Sequence, residues 1–78
     1  MFREKKIEVY KTKECSVCHR ALEYLRKRDV YPVVYVVEKN TPGMTELVEL
    51  TRCSTFPQIF VDSVFIGGLD DLKNTTID

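Results

Sequence analysis

The chain has 78 residues, 44% apolar and 31% charged, a balance that fits a globular protein and argues against disorder. At this length only about 60% of the unfolded surface can be buried, so residues 1–78 are expected to form one small domain with a thin core. Twelve basic and twelve acidic side chains cancel, yet residues 1–28 hold nine Lys/Arg against four Asp/Glu (+5) and residues 29–78 three against eight (−5).

In chain order, Ile7-Glu8-Val9-Tyr10 alternates apolar and polar residues and predicts a short strand. From Cys15 the spacing becomes helical, with Val17, Ala21, Leu22 and Leu25 on one face and Arg20, Glu23, Arg26 and Lys27 between them. The run Arg26-Lys27-Arg28 suits the C-terminus of that helix. Because the other basic residues alternate with acids, no nucleic-acid surface is expected. Val30 to Val37 is almost wholly β-branched or aromatic, which predicts a strand buried on both faces.

Asn40-Thr41-Pro42-Gly43 marks a turn, with Thr41 as helix N-cap and Pro42 in the first helical position. Met44, Leu47, Val48 and Thr51 then form the apolar face of a second helix. Ile59-Phe60-Val61 and Val64-Phe65-Ile66 flank Asp62-Ser63 and predict a hairpin with a two-residue turn. Gly67-Gly68 ends the second of these strands. Asp70 and Asp71 fall in the first turn of a last helix, where carboxylates are favoured. The order β-α-β-α-β-β-α makes the first two strands parallel and the last two antiparallel, so the sheet is mixed and four-stranded, with helices on both faces.

The apolar run through Val37 is far shorter than the roughly 18 residues of a membrane span, so no membrane association is expected. Nor does an apolar segment follow the early basic residues as in an export signal, and a cytoplasmic location is expected. In such a reducing compartment three cysteines point to catalysis or metal binding rather than to structural disulfides.

The main chemical signal is Cys15-Ser16-Val17-Cys18. Its first cysteine lies where a helix begins, and there unpaired backbone N–H groups and the positive end of the dipole favour a thiolate. Lys11 and Lys13 add positive charge, and Glu14 works against it. Cys18, one turn further in, is placed to resolve a mixed disulfide formed by Cys15. A zinc site would need two further ligands, and only His19 and Cys53 remain. The C-x-x-C-H spacing of haem attachment is present, with Met44 as a conceivable axial ligand, but it sits in strand-rich sequence. His19 is expected on the surface of the first helix, and Cys53 as a small side chain at a helix end.

Two further segments carry signals. Thr55-Phe56-Pro57 precedes a strand, where a proline loop can pair its backbone with an extended peptide. In Gly67-Gly68-Leu69-Asp70-Asp71, free amides could bind a carboxylate and an aspartate an ammonium. A γ-glutamyl peptide carries both groups at one end.

Taken together, the strand followed by C-x-x-C and a helix, the Thr-x-Pro before a hairpin and the Gly-Gly-x-Asp-Asp-Leu after it resemble glutaredoxin, within the thioredoxin fold, over about residues 7–72. Cys18-His19-Arg20-Ala21, Thr55 to Asp62 and Ile66 to Leu72 carry the likeness most closely. The resemblance implies a three-layer α/β sandwich of the thioredoxin-like, glutaredoxin type, with the strands in the order second, first, third, fourth and Pro57 in cis beside the cysteines. It implies glutathione as co-substrate and no resident metal, with Cys15 as nucleophile, Cys18 as resolving thiol and a disulfide between them.

Residues implied to hold glutathione are Lys13, Val17, Thr55, Phe56, Pro57, Gly68, Leu69, Asp70 and Asp71. The implied partners are disulfide-bearing or glutathionylated proteins, ribonucleotide reductase among the candidates, met by a monomer. The chain departs from the usual family pattern in carrying Ser16-Val17 between the cysteines instead of Pro-Tyr, and Thr12 instead of a lysine. Two alternatives follow from those departures. One is a redoxin reduced by thioredoxin reductase that donates electrons to ribonucleotide reductase. The other is a protein that binds a [2Fe–2S] cluster.

Overall fold

A computed structural model describes residues 4–75. Strands β1 (Ile7–Lys11), β2 (Val33–Val36), β3 (Gln58–Val61) and β4 (Val64–Gly67) alternate with helices α1 (Ser16–Arg26), α2 (Pro42–Thr51) and α3 (Leu69–Lys73) in the order expected. The sheet runs β2-β1-β3-β4, with β1 and β2 parallel and β3 antiparallel to both β1 and β4. This is the thioredoxin-like topology that the sequence implied.

The core lies on one face of the sheet. Alternation along β1 sends Ile7 and Val9 to that face, where they meet Ile59 of β3, Ala21 and Leu25 of α1 and Leu72 of α3. Val9, Ala21, Leu25, Ile59 and Leu72 are wholly buried. The opposite face is more polar and aromatic. Glu8, although buried, accepts a hydrogen bond from the Tyr35 hydroxyl at 3.2 Å and lies 3.6 Å from the Lys6 ammonium. Tyr10 stacks on Tyr35 with ring centroids 4.7 Å apart and meets Phe60 edge-on. Helix α2 covers this face only in part: Leu47 is its one buried residue, and Leu50 is 73% exposed.

Local signals hold where the chain punctuates itself. Thr41 caps α2 by accepting from the Met44 N–H at 3.3 Å, and Pro42 follows it. Asp62 and Ser63 both adopt positive φ, 50° and 68°, as a two-residue turn of mirror-image type requires. The Asp62 carboxylate stabilises that turn by accepting from the Lys6 N–H at 2.9 Å.

One expectation fails. The apolar run Val30 to Val37 does not form a strand buried on both faces. Only Val33–Val36 is strand, and all four of its residues are exposed. The strand order explains this, since β2 has β1 on one side and, among the described residues, no strand on the other. Pro32, which has no N–H to give, lies just before the strand.

Two outcomes follow. Leu25→Ala is expected to cost about 2–5 kcal/mol in urea unfolding, and Leu50→Ala to stay within about 0.5 kcal/mol. Burial, and next the negative charge of Glu8, raise the Tyr10 pKa above its ordinary value. The unfolded chain therefore gives up this proton first. Tyr10 contributes stability below about pH 10 that is lost as pH rises through the folded value. Absorbance titration of the phenols should show Tyr10 ionising above the ordinary tyrosine value, with stability falling over the same alkaline range.

Candidate active site

Helix α1 begins on a sulfur. Cys15 is its N-cap, in extended backbone (φ −151°, ψ 101°), and its Sγ accepts from the Cys18 N–H at 3.1 Å. Caps ordinarily use an oxygen for this bond. The first helical turn is closed by His19 N–H donating to the Cys15 carbonyl at 3.1 Å. A negative charge on Cys15 would thus sit at the positive end of an 11-residue helix with an amide already aimed at it, which favours the thiolate.

Cys18 is wholly buried, whereas Cys15 is partly exposed. Their Cα atoms are 5.2 Å apart and the two are joined as a disulfide, a separation typical of such bonds. His19 is exposed on α1, as expected.

Opposite Cys15, the bond between Phe56 and Pro57 is cis, and the Phe56 carbonyl oxygen lies 4.0 Å from the Cys15 sulfur. From there a groove of about 630 Å³ runs between three segments. Helix α1 contributes Val17 and Arg20. The loop before β3 contributes Cys53, Thr55, Phe56 and Pro57. The β4–α3 junction contributes Phe65 to Asp71. The groove therefore unites Val17, Thr55, Phe56, Pro57, Gly68, Leu69, Asp70 and Asp71, which lie far apart along the chain.

Lys13 lies elsewhere. It lines a separate cavity of about 260 Å³ with Thr12, Glu14, Val37, Glu38 and Lys39. The link from β1 to α1 runs beside the end of β2, whereas the groove opens toward β3 and β4. Arg20 is the basic side chain lining the groove. The sequence showed it only as a polar position on α1.

The β4–α3 cradle is also less open than expected. The Gly68 N–H is not free, because it donates to the Asp71 carboxylate at 2.9 Å. Asp71 thus caps the start of its own helix, and both Asp70 and Asp71 are exposed. Gly67 has φ 119°, and a Cβ there would run into the Asp71 side chain. Glycine is needed at this position for both reasons.

Gln58 holds the proline loop from beneath. Wholly buried, it donates from Nε2 to the carbonyls of Cys53 at 2.6 Å and Thr55 at 3.2 Å. Its Oε1 has no hydrogen-bond partner among the described residues. Nothing in the sequence marked Gln58 beyond its place at the start of a strand. Cys53 is half-buried, with its sulfur 3.3 Å from the Thr55 hydroxyl.

A thioredoxin-like sheet with an N-capping cysteine, a buried partner thiol and a cis-proline loop defines a thiol–disulfide oxidoreductase. Residues 7–66 match the glutaredoxin family model, and the chain belongs to that family. It is 35% identical over 66 residues to Glutaredoxin 3 of Escherichia coli strain K12, across 85% of this chain and 80% of that protein. The dithiolic glutaredoxin 2-C-Grx1 of Trypanosoma brucei brucei superposes with a TM-score of 0.75 at 30% identity, over 94% of this chain and 78% of that one. A buckwheat glutaredoxin–glutathione complex shares the fold, with a TM-score of 0.72 at 18% identity over 94% and 69%.

Gly67→Ala is expected to destabilise the protein by about 2–4 kcal/mol, from backbone strain and the collision with Asp71 together. Adding Asp71→Ala should restore the part due to collision, less the cap that Asp71 gives the Gly68 N–H, which Asp71→Ala alone measures. Urea unfolding of the single and double variants separates the two contributions.

Proposed function

We propose that this chain is a glutathione-dependent reductase of protein disulfides and of protein–glutathione mixed disulfides, with Cys15 as nucleophile and Cys18 as resolving thiol. The observation that carries the reading is the inequality of the two cysteines. Cys15 is partly exposed at a helix N-terminus, next to the Phe56 carbonyl at the groove, and Cys18 is wholly buried one turn away.

In the first reaction the Cys15 thiolate attacks the glutathione sulfur of a mixed disulfide. The old S–S bond breaks, the target protein leaves as a thiolate that takes up a proton, and Cys15 carries the glutathione. A second glutathione thiolate then attacks that glutathione's sulfur, leaving oxidised glutathione and the Cys15 thiolate. With a protein disulfide, Cys15 becomes bonded to the target. Cys18, deprotonated, attacks the Cys15 sulfur and releases the reduced target, and the new Cys15–Cys18 disulfide takes two electrons from two glutathiones.

The groove supplies groups suited to the tripeptide. The Phe56 backbone offers peptide-like pairing beside the sulfur, flanked by Thr55 and Pro57. Val17 and Leu69 provide apolar walls. Asp70 offers a carboxylate for the γ-glutamyl ammonium. Asp71 serves the same end indirectly, by holding Gly68 and the start of α3 in place. Arg20 takes the place expected for Lys13 and meets one of the ligand's carboxylates. Family membership and the glutathione bound in the buckwheat neighbour agree with this choice of ligand.

The test is NADPH oxidation with a glutathionylated peptide or a protein disulfide. Electrons are supplied either by glutathione with glutathione reductase or by thioredoxin reductase alone. Turnover with glutathione is expected, and turnover with thioredoxin reductase alone would overturn the assignment. Cys15→Ser should lower both activities on the order of a thousandfold or more. Cys18→Ser should keep reduction of the glutathionylated peptide and lose reduction of the protein disulfide.

A further inference from the structure

Gln58, at the first position of β3, is wholly buried with its amide only half satisfied. Both hydrogens on Nε2 are engaged, one by the Cys53 carbonyl at 2.6 Å and one by the Thr55 carbonyl at 3.2 Å. Oε1 has no partner among the described residues. A buried acceptor left without a partner is costly and uncommon in folded proteins. Turning the amide over would set its oxygen against two carbonyl oxygens, so the loop dictates this orientation. Of the neutral side chains, only Asn and Gln can give two hydrogen bonds from one nitrogen.

We infer that Gln58 is a positioning residue for the substrate, acting through the Phe56 N–H that it turns into the groove; this rests on the glutathione-dependent reaction proposed above. The Thr55–Phe56 peptide is trans, so its C=O and N–H point in opposite directions. With the Thr55 carbonyl drawn down to Gln58, the Phe56 N–H is turned away from the interior. Thr55 and Phe56 line the groove and Gln58 lies beneath them, so this amide opens into it. Among the described residues nothing accepts from it. The Phe56 carbonyl, 4.0 Å from the Cys15 sulfur, completes a donor and acceptor for the backbone of an extended peptide.

The other bonds of this segment are short-range and move with it. The Cys53 N–H donates to the Thr51 hydroxyl at 3.3 Å, and the Cys53 sulfur lies 3.3 Å from the Thr55 hydroxyl and 3.8 Å from the Thr55 carbonyl. Gln58 ties the segment instead to the sheet, where it stands level with Tyr10 of β1 in a strand paired on both sides. The Cys15 sulfur is prepared separately, by the Cys18 N–H at the start of α1. Losing the Gln58 amide therefore loosens the capture of substrate and leaves the reactivity of Cys15 as it was.

The test compares the full chain with Gln58→Met, which keeps the length of the side chain and loses both donors. With a glutathionylated peptide, Gln58→Met should raise KM about tenfold and leave kcat within about twofold. The pH dependence of Cys15 alkylation by iodoacetamide should stay unchanged, a result that a general loosening of α1 would not give. An unaltered KM, or a loss confined to kcat, would overturn the inference. The Phe56 amide is followed by NMR in the chain carrying Cys18→Ser and Cys53→Ser, which leaves Cys15 as its single thiol. The Cys15 thiolate attacks oxidised glutathione, forms a mixed disulfide with one half and releases the other as a thiolate. Hydrogen exchange at Phe56 should slow at least about tenfold on that attachment, and adding Gln58→Met should abolish the slowing. No slowing with Gln58 in place would overturn the inference, whether or not Gln58→Met folds. Slowing in a chain without turnover would sink the proposed reaction and leave the role of Gln58 standing.

Discussion

A single hydrogen bond, from the Cys18 N–H to the Cys15 sulfur, ties the start of a helix to the chemistry of the site. A helix must satisfy its first amides, and here the atom that does so is a sulfur able to carry charge. Because the cap is also the more exposed cysteine of the disulfide pair, whatever positions α1 also positions that sulfur. The core does this through Ala21 and Leu25, both wholly buried against β1 and β3. The same helix periodicity that buries these residues buries Cys18 and leaves Cys15 at the rim.

Around that point, the loops that wall the groove are held by hydrogen bonds from neighbouring side chains. Gln58 reaches up from β3 to two carbonyls of the proline loop. Asp71 turns back to the Gly68 amide and closes over Gly67. Each fixes a loop that would otherwise be set only by its own torsions. At the opposite edge of the sheet the aromatic and valine surface of β2 is exposed.

Much of this was legible from residues. Cys15 at the start of a helix, Thr41-Pro42 as a cap and the Asp62-Ser63 turn all rest on local backbone rules, and local rules survive folding. The groove was legible as separate motifs: Thr55-Phe56-Pro57 and Leu69-Asp70-Asp71 were each suspect, and the fold brings them to one cavity. That Lys13 lines a different cavity and that the Gly68 amide is already bonded were both hidden from the sequence for a common reason. Nearness in sequence says which residues flank a motif, and not on which side of the sheet the connection runs or which amide a carboxylate has already taken. Gln58 and Arg20 were missed because a buried amide and a helix-face arginine carry no pattern of their own.

By itself the sequence determined the element order, the parallel start, the antiparallel hairpin and the two-cysteine centre, since periodicity, turn chemistry and the handedness of crossovers act over short stretches of chain. Only the tertiary structure decided how deeply each strand is buried. Val33–Val36 reads as interior by composition and lies at the edge, because burial depends on how many neighbours a strand acquires and no residue within the strand encodes that number. The tertiary structure likewise decided that Arg20, and not Lys13, lines the groove, since that depends on which end of the sheet each connection crosses.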